Sequence, residues 1–269
     1  MLLKWAGGKT WLVSNYADIF AEHDSVLSKH IEFNTYFEPF VGGGSVLRYL
    51  KPQQSVIGDI NEELTTFYIA LRDEPEKLYD ATMIHMNQHS SDYYYLTRER
   101  VEAEELLIAA RFLYLNYTCF NGIYRVNQQK KFNVPIGDKT ILHYKLKDFI
   151  DRSKILQNTQ ILNQDFKETI ALATQNDLIY VDPPYTNNSN KDTFNKYSVD
   201  IFSWEDQIEL AKLLTLKSKI GVKIIVSNIM DDEISTLYAD WIKIPAKRGN
   251  RLRYNSNGND YKEIIIKNF

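Results

Sequence analysis

The sequence predicts an α/β fold in which a doubly wound, Rossmann-like sheet carries an inserted helical and hairpin segment. Two observations predict the sheet: short apolar runs recur along the chain, and helix-like patterns separate most of them. The runs that we expect to form strands lie at 35–41, 55–60, 177–182, 222–227 and 261–267. A third observation predicts the insertion, because about 90 residues after the second run break this alternation, whereas a crossover between parallel strands takes roughly 30.

Apolar residues at helical spacing predict the helices. Three helices between strands are expected at 61–71, 165–174 and 204–218, and two inside the insertion at 75–88 and 102–117. After these two, the stretch "YRVNQQKKFNVP" predicts a hairpin with a four-residue turn. We therefore expect one domain built from residues 1–61 and 155–269, and an inserted domain at 62–154.

Composition and charge exclude several classes of protein. With 44% hydrophobic and 25% charged residues the chain is an ordinary globular one, and no run approaches the ~18 apolar residues of a membrane helix. The single cysteine excludes an internal disulfide, and no histidine pair has a zinc-binding pattern, so no metal is expected. A net charge of −3 disfavours purely electrostatic binding of nucleic acid, although basic residues cluster at 125–139 and 247–253 as a phosphate footprint would. Since no signal-peptide pattern is present, we expect a cytoplasmic protein.

The stretch "LLKWAGGKTWL" (2–12) contains the last letters of a phosphate-binding loop. Such a loop needs a further glycine five residues before Gly8, and because this chain has Leu3 there, the spacing excludes a phosphate loop. Trp5 and Lys9 are then either a buried aromatic residue and a solvated cation, or parts of a different site.

Three glycines, Gly42 to Gly44, stand between a predicted strand and a predicted helix, and Asp59 ends the next strand. In a Rossmann-like sheet, glycines at this place let a ligand approach the backbone, and the acid accepts hydrogen bonds from ribose hydroxyls. The dinucleotide pattern G-x-G-x-x-G is broken, since Leu47 stands where its last glycine belongs. The turn therefore suits a nucleoside without a pyrophosphate.

The stretch "DLIYVDPPYTNN" (177–188) is the most specific motif in the chain. A buried strand ends at Asp182, and two prolines then hold the backbone out of helical and ladder geometry. Methylation of an exocyclic amine fits these residues: Asp182 accepts one N–H, the carbonyl of Pro183 accepts the other, and Tyr185 stacks on an extruded base. The structural alternative is a strand-ending acid and a Pro-Pro turn under a packed tyrosine.

Together these motifs resemble the DNA adenine-N6 methyltransferases of the Dam type (D12 class, alpha group), and the likeness covers nearly the whole chain. The stretches that carry it are "KWAGGK" (4–9), "FEPFVGGGSV" (37–46), "FNGIYRVN" (120–127), "FNVPIG" (132–137), "DPPY" (182–185) and "SNGN" (256–259). The resemblance implies a class I S-adenosylmethionine-dependent methyltransferase fold with an inserted target-recognition domain.

The resemblance also implies site residues. The catalytic ones are Asp182, Pro183 and Tyr185. The residues expected to bind S-adenosylmethionine are Trp5, Lys9, Phe40, Gly42, Gly44, Asp59, Asp165, Phe166 and Asp182. In the family, Trp5 would lie beside the cofactor, Lys9 near its methionine carboxylate, Asp59 at the ribose and Asp165–Phe166 at the adenine.

The residues that the resemblance assigns to DNA contact are Phe120, Asn121, Arg125 and Asn127. Arginine suits a bidentate contact with guanine, and Phe120 suits a wedge between bases. A GATC-type palindrome is the leading target. Residues 187–196 and 248–253 are expected to be phosphate contacts or mobile loop.

Double-stranded DNA is the expected partner of a monomer that has no obligate protein partner and acts near the nucleoid of a bacterial or phage-infected cell. Three alternatives stay open: an RNA adenine-N6 methyltransferase with the same site, a catalytically inactive DNA-binding relative, and a nicotinamide oxidoreductase. The broken glycine pattern and the DPPY motif disfavour the last. A biological role in restriction–modification, repair marking or a phage is left open by the sequence.

Overall fold

The computed structural model describes residues 2–20, 31–127, 129, 131–186, 202–247 and 262–269. The expected phosphate-contact segments 187–196 and 248–253 therefore lie outside the described residues, as does the "SNGN" motif at 256–259.

The described part of the chain alternates helices and strands in the predicted manner. In chain order the elements are α1 (Thr10–Asn15), β1 (Tyr36–Glu38), α2 (Ser45–Leu50), β2 (Ser55–Asp59), α3 (Glu62–Asp73), α4 (Pro75–Asn87), α5 (Ser91–Glu99), α6 (Glu105–Thr118), α7 (Leu146–Leu156), β3 (Thr159–Asn163), α8 (Phe166–Ala171), β4 (Leu178–Val181), α9 (Trp204–Lys219), β5 (Lys223–Ile229), α10 (Asp232–Leu237), β6 (Ile242–Lys247) and β7 (Lys262–Lys267). Short 3₁₀ helices occupy Ala17–Phe20 and Phe120–Gly122.

The seven strands form one sheet in the order β3-β2-β1-β4-β5-β7-β6. Strands β2, β1, β4 and β5 pair in parallel, while β7 runs antiparallel between β5 and β6. This mixed α/β sheet confirms the predicted doubly wound fold and is consistent with the class I methyltransferase fold. All five predicted strands are present; β3 and β6 were not predicted.

The chain divides into two compact units. The first comprises residues 1–9, 42–52 and 58–163, and the second comprises residues 10–41, 53–57 and 164–269. The predicted division into a methyl-transferring and a DNA-reading domain is a functional one and stays a prediction.

The second unit is built on buried apolar strands. All four residues of β4 are buried, and five of the seven in β5. Such runs are apolar on both faces because helices cover both sides of a parallel sheet. Helix α9 begins where Ser203 and Asp206 satisfy each other's backbone N–H groups in a capping box. These elements place the end of β4, and with it the DPPY loop, on a rigid support.

The first unit is organised around α6, in which every residue from Ala109 to Thr118 is buried. A helix segment that is buried on all its faces belongs in a core, and α6 packs against both α3 and α4. The helix α5, which precedes it, was not predicted. Phe132 and Val134 join the apolar cluster beside α6, and the hydroxyl of Tyr94 donates to the carbonyl of Val134 at 2.9 Å.

The predicted hairpin is present, and its pairing extends one residue further than expected. Val126 and Phe132 form an antiparallel bridge, and the N–H of Asn127 donates to the carbonyl of Lys131 at 2.8 Å. Lys131, which was expected to lie in the turn, is therefore paired with Asn127 instead. The turn tightens because the Asn127 side-chain oxygen accepts from the N–H groups of Gln129 and Lys131 at 2.9 and 3.0 Å.

Neither a membrane-spanning helix nor a metal-binding cluster occurs among the described residues. None of the helices in the described ranges is long and apolar enough to cross a membrane. Across the same ranges, no group of three or more histidine, cysteine or acidic side chains could hold a metal ion. Cys119 is buried, and burial raises the pKa of its thiol to about 11, as suits a core residue.

Candidate active site

The glycine turn of the first unit is held from three sides. Gly42 and Gly44 have φ values of 45° and 58°, which residues other than glycine rarely adopt. The N–H of Gly42 donates to Asp59 Oδ2 at 3.3 Å, and the hydroxyl of Tyr68 donates to the Gly42 carbonyl at 2.8 Å. A Cβ atom on Gly42 would lie 2.7 Å from Cδ1 of Trp5. The structure therefore brings Trp5, Gly42 and Asp59 together, and only glycine fits between them.

Trp5 is fixed by its aromatic neighbours and by the backbone of the residue before it. Its indole stacks on Tyr124, with ring centroids 5.3 Å apart and planes at 19°, and tilts against Phe112 at 6.2 Å. Buried Asn116 holds the preceding residue twice: its Oδ1 accepts from the Lys4 N–H at 3.0 Å, and its Nδ2 donates to the Lys4 carbonyl at 2.9 Å. The "KWAGGK" stretch is thus a packed part of the first unit.

Lys9 is buried, with 3% of its surface exposed, and its Nζ donates to the carbonyl of Gly7 at 2.9 Å. The alternative of a solvated cation is therefore wrong. Burying an ammonium group is costly unless polar partners surround it, so its position calls for oxygen ligands.

Asp59 presents a partly buried carboxyl group at the end of β2. Its Oδ1 accepts from the N–H of Asn61 at 3.0 Å, and its Oδ2 from Gly42. Burial raises the pKa of this carboxyl to about 6, although the backbone donors act in the opposite direction. Further hydrogen-bond donors, such as vicinal hydroxyls, would stabilise the charged form.

The second unit places three aromatic rings together after β1. Phe40 stacks on Phe166 with ring centroids 5.3 Å apart and planes at 24°, and Phe202 packs edge-on against both at 5.5 Å. Asp165 caps α8, because its side chain accepts from the N–H of Lys167 at 2.9 Å. Phe40 and Phe166 therefore offer an apolar surface next to a helix N-terminus.

The DPPY loop follows the central strand β4 and is held by buried polar side chains. Gln207, which is fully buried in α9, donates from Nε2 to the carbonyl of Pro184 at 3.3 Å. The hydroxyl of Tyr185 donates to Glu263 Oε2 at 2.8 Å. Asp182 and Tyr185 are partly buried, and Pro183 is buried. Burial, followed by the charges of Asp182 and Glu263, raises the pKa of Tyr185, so its hydroxyl stays protonated.

Four residues of the hairpin region were predicted to contact DNA. Phe120 is 51% exposed, and Asn121 is exposed with a left-handed φ of 55°. Arg125 is exposed, and its Nε donates to Asn133 Oδ1 at 2.8 Å, which orients the guanidinium group. Asn127 shapes the turn with its side-chain oxygen. Their contacts with DNA stay predictions.

Sequence reasoning missed the polar residues that hold the site residues in place. They are Glu63, Arg111, Asn116, Tyr124, Gln207 and Glu263. A usable indication was present for two of them, because Asn116 interrupts the apolar stretch "FLYLNYT" and Glu263 precedes "III" in the last strand.

Comparison with known proteins gives consistent matches. Residues 5–251 match the model of the D12 class N6 adenine-specific DNA methyltransferase family. The chain is 34% identical over 282 aligned positions to the Type II methyltransferase M1.LlaDCHI of Lactococcus lactis subsp. cremoris, covering 99% of this chain and 94% of that protein. It is 32% identical over 292 positions to the Type II methyltransferase M.MjaIII of Methanocaldococcus jannaschii, covering 99% and 98%. A DNA adenine methylase of Vibrio cholerae is 29% identical over 232 positions, covering 84% and 80%.

Proposed function

Since the chain belongs to the D12 class of N6 adenine-specific DNA methyltransferases, we propose that it transfers the methyl group of S-adenosylmethionine to an adenine turned out of duplex DNA. Like the other members of its family, it is an adenine-specific DNA methyltransferase. The methyl donor, the extrusion of the base, the residue roles and the target sequence are the content of the proposal.

The held DPPY loop is the observation that carries the proposal. The 6-amino nitrogen of adenine is a poor nucleophile, because its lone pair is delocalised into the ring. Asp182 accepts one N–H of this amine and the Pro183 carbonyl accepts the other, which turns the nitrogen toward tetrahedral geometry. We assign Pro183 because the Pro184 carbonyl already accepts from Gln207. Tyr185 stacks on the base.

The donor supplies a methyl group on a sulfonium, which needs positioning more than activation. The residues around the glycine turn fit a nucleoside: Gly42 lets Trp5 pack against the turn as a wall, and Asp59 offers oxygens to the ribose hydroxyls. Lys9 is assigned to the methionine carboxylate, since its buried ammonium is complementary in charge to a carboxylate. Phe40, Phe166 and Asp165 are assigned to the adenine.

Phe120, Asn121 and Arg125 are the side chains that we assign to the target sequence. Their exposure, and the orientation of Arg125 by Asn133, suit contact with base edges in the major groove. A GATC-type palindrome is the proposed site, and Asn127 acts by shaping the turn. We propose a monomer that acts in the compartment holding the DNA, and the Type II names of two relatives favour a role in restriction–modification.

The test uses unmethylated plasmid DNA, purified protein and S-adenosylmethionine labelled in its methyl group. After digestion to nucleosides, label is expected in N6-methyladenine, and plasmid treated in parallel should resist nucleases that cut GATC. Asp182→Ala serves as the inactive control. Label without protection would discard the GATC assignment but keep the reaction, and label in RNA alone would overturn the choice of DNA.

A further inference from the structure

A buried carboxylate on the last strand contacts the DPPY loop. Glu263, on β7, has only 3% of its surface exposed, and its Oε2 accepts from the hydroxyl of Tyr185 at 2.8 Å. The hydroxyl of Ser227, on the neighbouring β5, lies 3.5 Å from the same oxygen. An isolated buried carboxylate is costly, so the position of Glu263 depends on such donors.

Packing of the sheet does not require an acid at this position. The three isoleucines that follow, Ile264 to Ile266, fill the core of β7, and an apolar side chain would serve the core as well. Glu263 therefore supplies a hydrogen-bond acceptor, which packing of the sheet does not require. The Tyr185 hydroxyl is suited to donate to this carboxylate, because its raised pKa keeps it protonated throughout the functional pH range.

The backbone beside Tyr185 is held independently. Gln207 Nε2 donates to the Pro184 carbonyl, and Gln207 Oε1 accepts from Nδ2 of Asn228 at 3.3 Å, with both side chains fully buried. With the backbone held in this way, the hydrogen bond to Glu263 fixes the position of the phenol oxygen and so limits the swing of the Tyr185 side chain about its Cα–Cβ bond.

We propose that Glu263 is a positioning residue for methyl transfer, which holds the ring of Tyr185 at the place where the target adenine stacks. The inference rests on the proposed function. Loss of this hydrogen bond leaves the phenol end of the side chain unanchored, so the base is held less often in the reactive orientation. The transfer step slows, whereas affinity for the methyl donor and for DNA is unchanged.

The experiment measures the single-turnover rate of methyl transfer with enzyme and donor in excess over a DNA duplex. Tyr185→Phe and Glu263→Met each remove the hydrogen bond and are expected to slow transfer about tenfold. Glu263→Gln keeps an accepting oxygen and is expected to stay within about threefold of wild type. Dissociation constants for S-adenosylmethionine and for the duplex, measured on the same preparations, are expected to stay within about twofold.

The double variant Tyr185→Phe/Glu263→Met separates positioning from stability. Removing both partners of a buried hydrogen bond is less destabilising than removing one, so its thermal midpoint should approach that of wild type. Its transfer rate should equal that of Tyr185→Phe alone, because both substitutions break the same contact. Tyr238→Phe is the matched control, since that buried hydroxyl has no hydrogen-bond partner among the residues the structure describes, and it should transfer at the wild-type rate.

A wild-type transfer rate for Tyr185→Phe would overturn the inference. A wild-type transfer rate in the double variant would also overturn it, as would a double variant slowed by the product of the two single-variant factors. Each of these three results leaves the proposed function intact, because wild-type transfer to adenine is measured in the same assay. If the wild-type protein transfers no methyl group to DNA, the proposed function itself is overturned and the inference with it.

Discussion

The indole of Trp5 stacks on the phenol ring of Tyr124, with centroids 5.3 Å apart and planes at 19°. Trp5 lies against the glycine turn, whereas Tyr124 belongs to the segment 120–127 that we assign to DNA contact. The Tyr124 hydroxyl donates to Glu63 at 2.8 Å, and Glu63 pairs with Arg111 at 2.7 Å. One aromatic stack in the first unit therefore joins the expected donor site to the expected DNA-reading segment.

Tyr124→Leu is expected to weaken binding of S-adenosylmethionine by about two- to tenfold, since an aromatic pair contributes about 0.5–1.5 kcal/mol beyond its buried area. The loss arises because Trp5 is no longer held against the turn. Tyr124→Phe keeps the stack and should bind the donor as wild type does. Calorimetric titration measures the affinity of both variants for the donor. Equal affinities would show that the stack does not support donor binding.

Asn116→Ala should lower the free energy of unfolding by about 1–3 kcal/mol, because it leaves the N–H and carbonyl of Lys4 without their buried partner. Denaturant unfolding followed by circular dichroism measures the change. Ser14→Ala removes an exposed hydroxyl bond within α1 and should alter stability by less than about 0.5 kcal/mol. A loss in Asn116→Ala no larger than this control would contradict the role given to Asn116.

Binding of S-adenosylmethionine is expected to weaken as pH falls through about 6. The pKa of Asp59 is raised from 3.8 to about 6 in the free protein, so the carboxyl is mostly charged at pH 7 and mostly protonated at pH 5. Ribose hydroxyls donate better to the charged form, so affinity is present above this pKa and should be about tenfold lower at pH 5. Titrations of the donor between pH 5 and 8 test this, and Asp59→Asn is expected to show weak, pH-independent binding. A wild-type affinity that does not change with pH would contradict the assignment of Asp59 to the ribose.

Asp182→Ala is expected to slow methyl transfer by at least about 10²-fold, because the target amine loses its charged acceptor. Affinity for duplex DNA should change little, since the segment assigned to DNA contact is untouched. Rapid-quench transfer and a filter-binding assay measure the two quantities. Transfer close to the wild-type rate would remove Asp182 from the reaction.

Arg125→Ala should relax the preference for one base pair of the target by about 1–3 kcal/mol. Asn133→Ala leaves the arginine in place but frees its Nε, and should give a smaller loss in the same base pair. Competition among duplexes that differ at single positions measures both. An unchanged base preference in Arg125→Ala would move Arg125 from base contact to phosphate contact.

Much of the architecture follows from local pattern. The five predicted strands are present because runs such as 177–182 and 222–227 are apolar enough to be buried on both faces. Strand β6 escaped prediction because it carries Pro245 and lysines, a composition that only a sheet edge tolerates. Strand β3 lies at the other edge and is mostly not buried, so it lacks the apolar run.

The sequence by itself determined five strands of the sheet, the glycine turn with its acid and the DPPY loop, because each depends on residues close together in the chain or on strand ends that a parallel sheet aligns. Only the tertiary structure decided what holds these parts: Asn116 contacts Lys4 across 112 positions, and Glu263 contacts Tyr185 across 78. A hydrogen bond between buried side chains depends on how distant segments pack, and no local pattern records that distance.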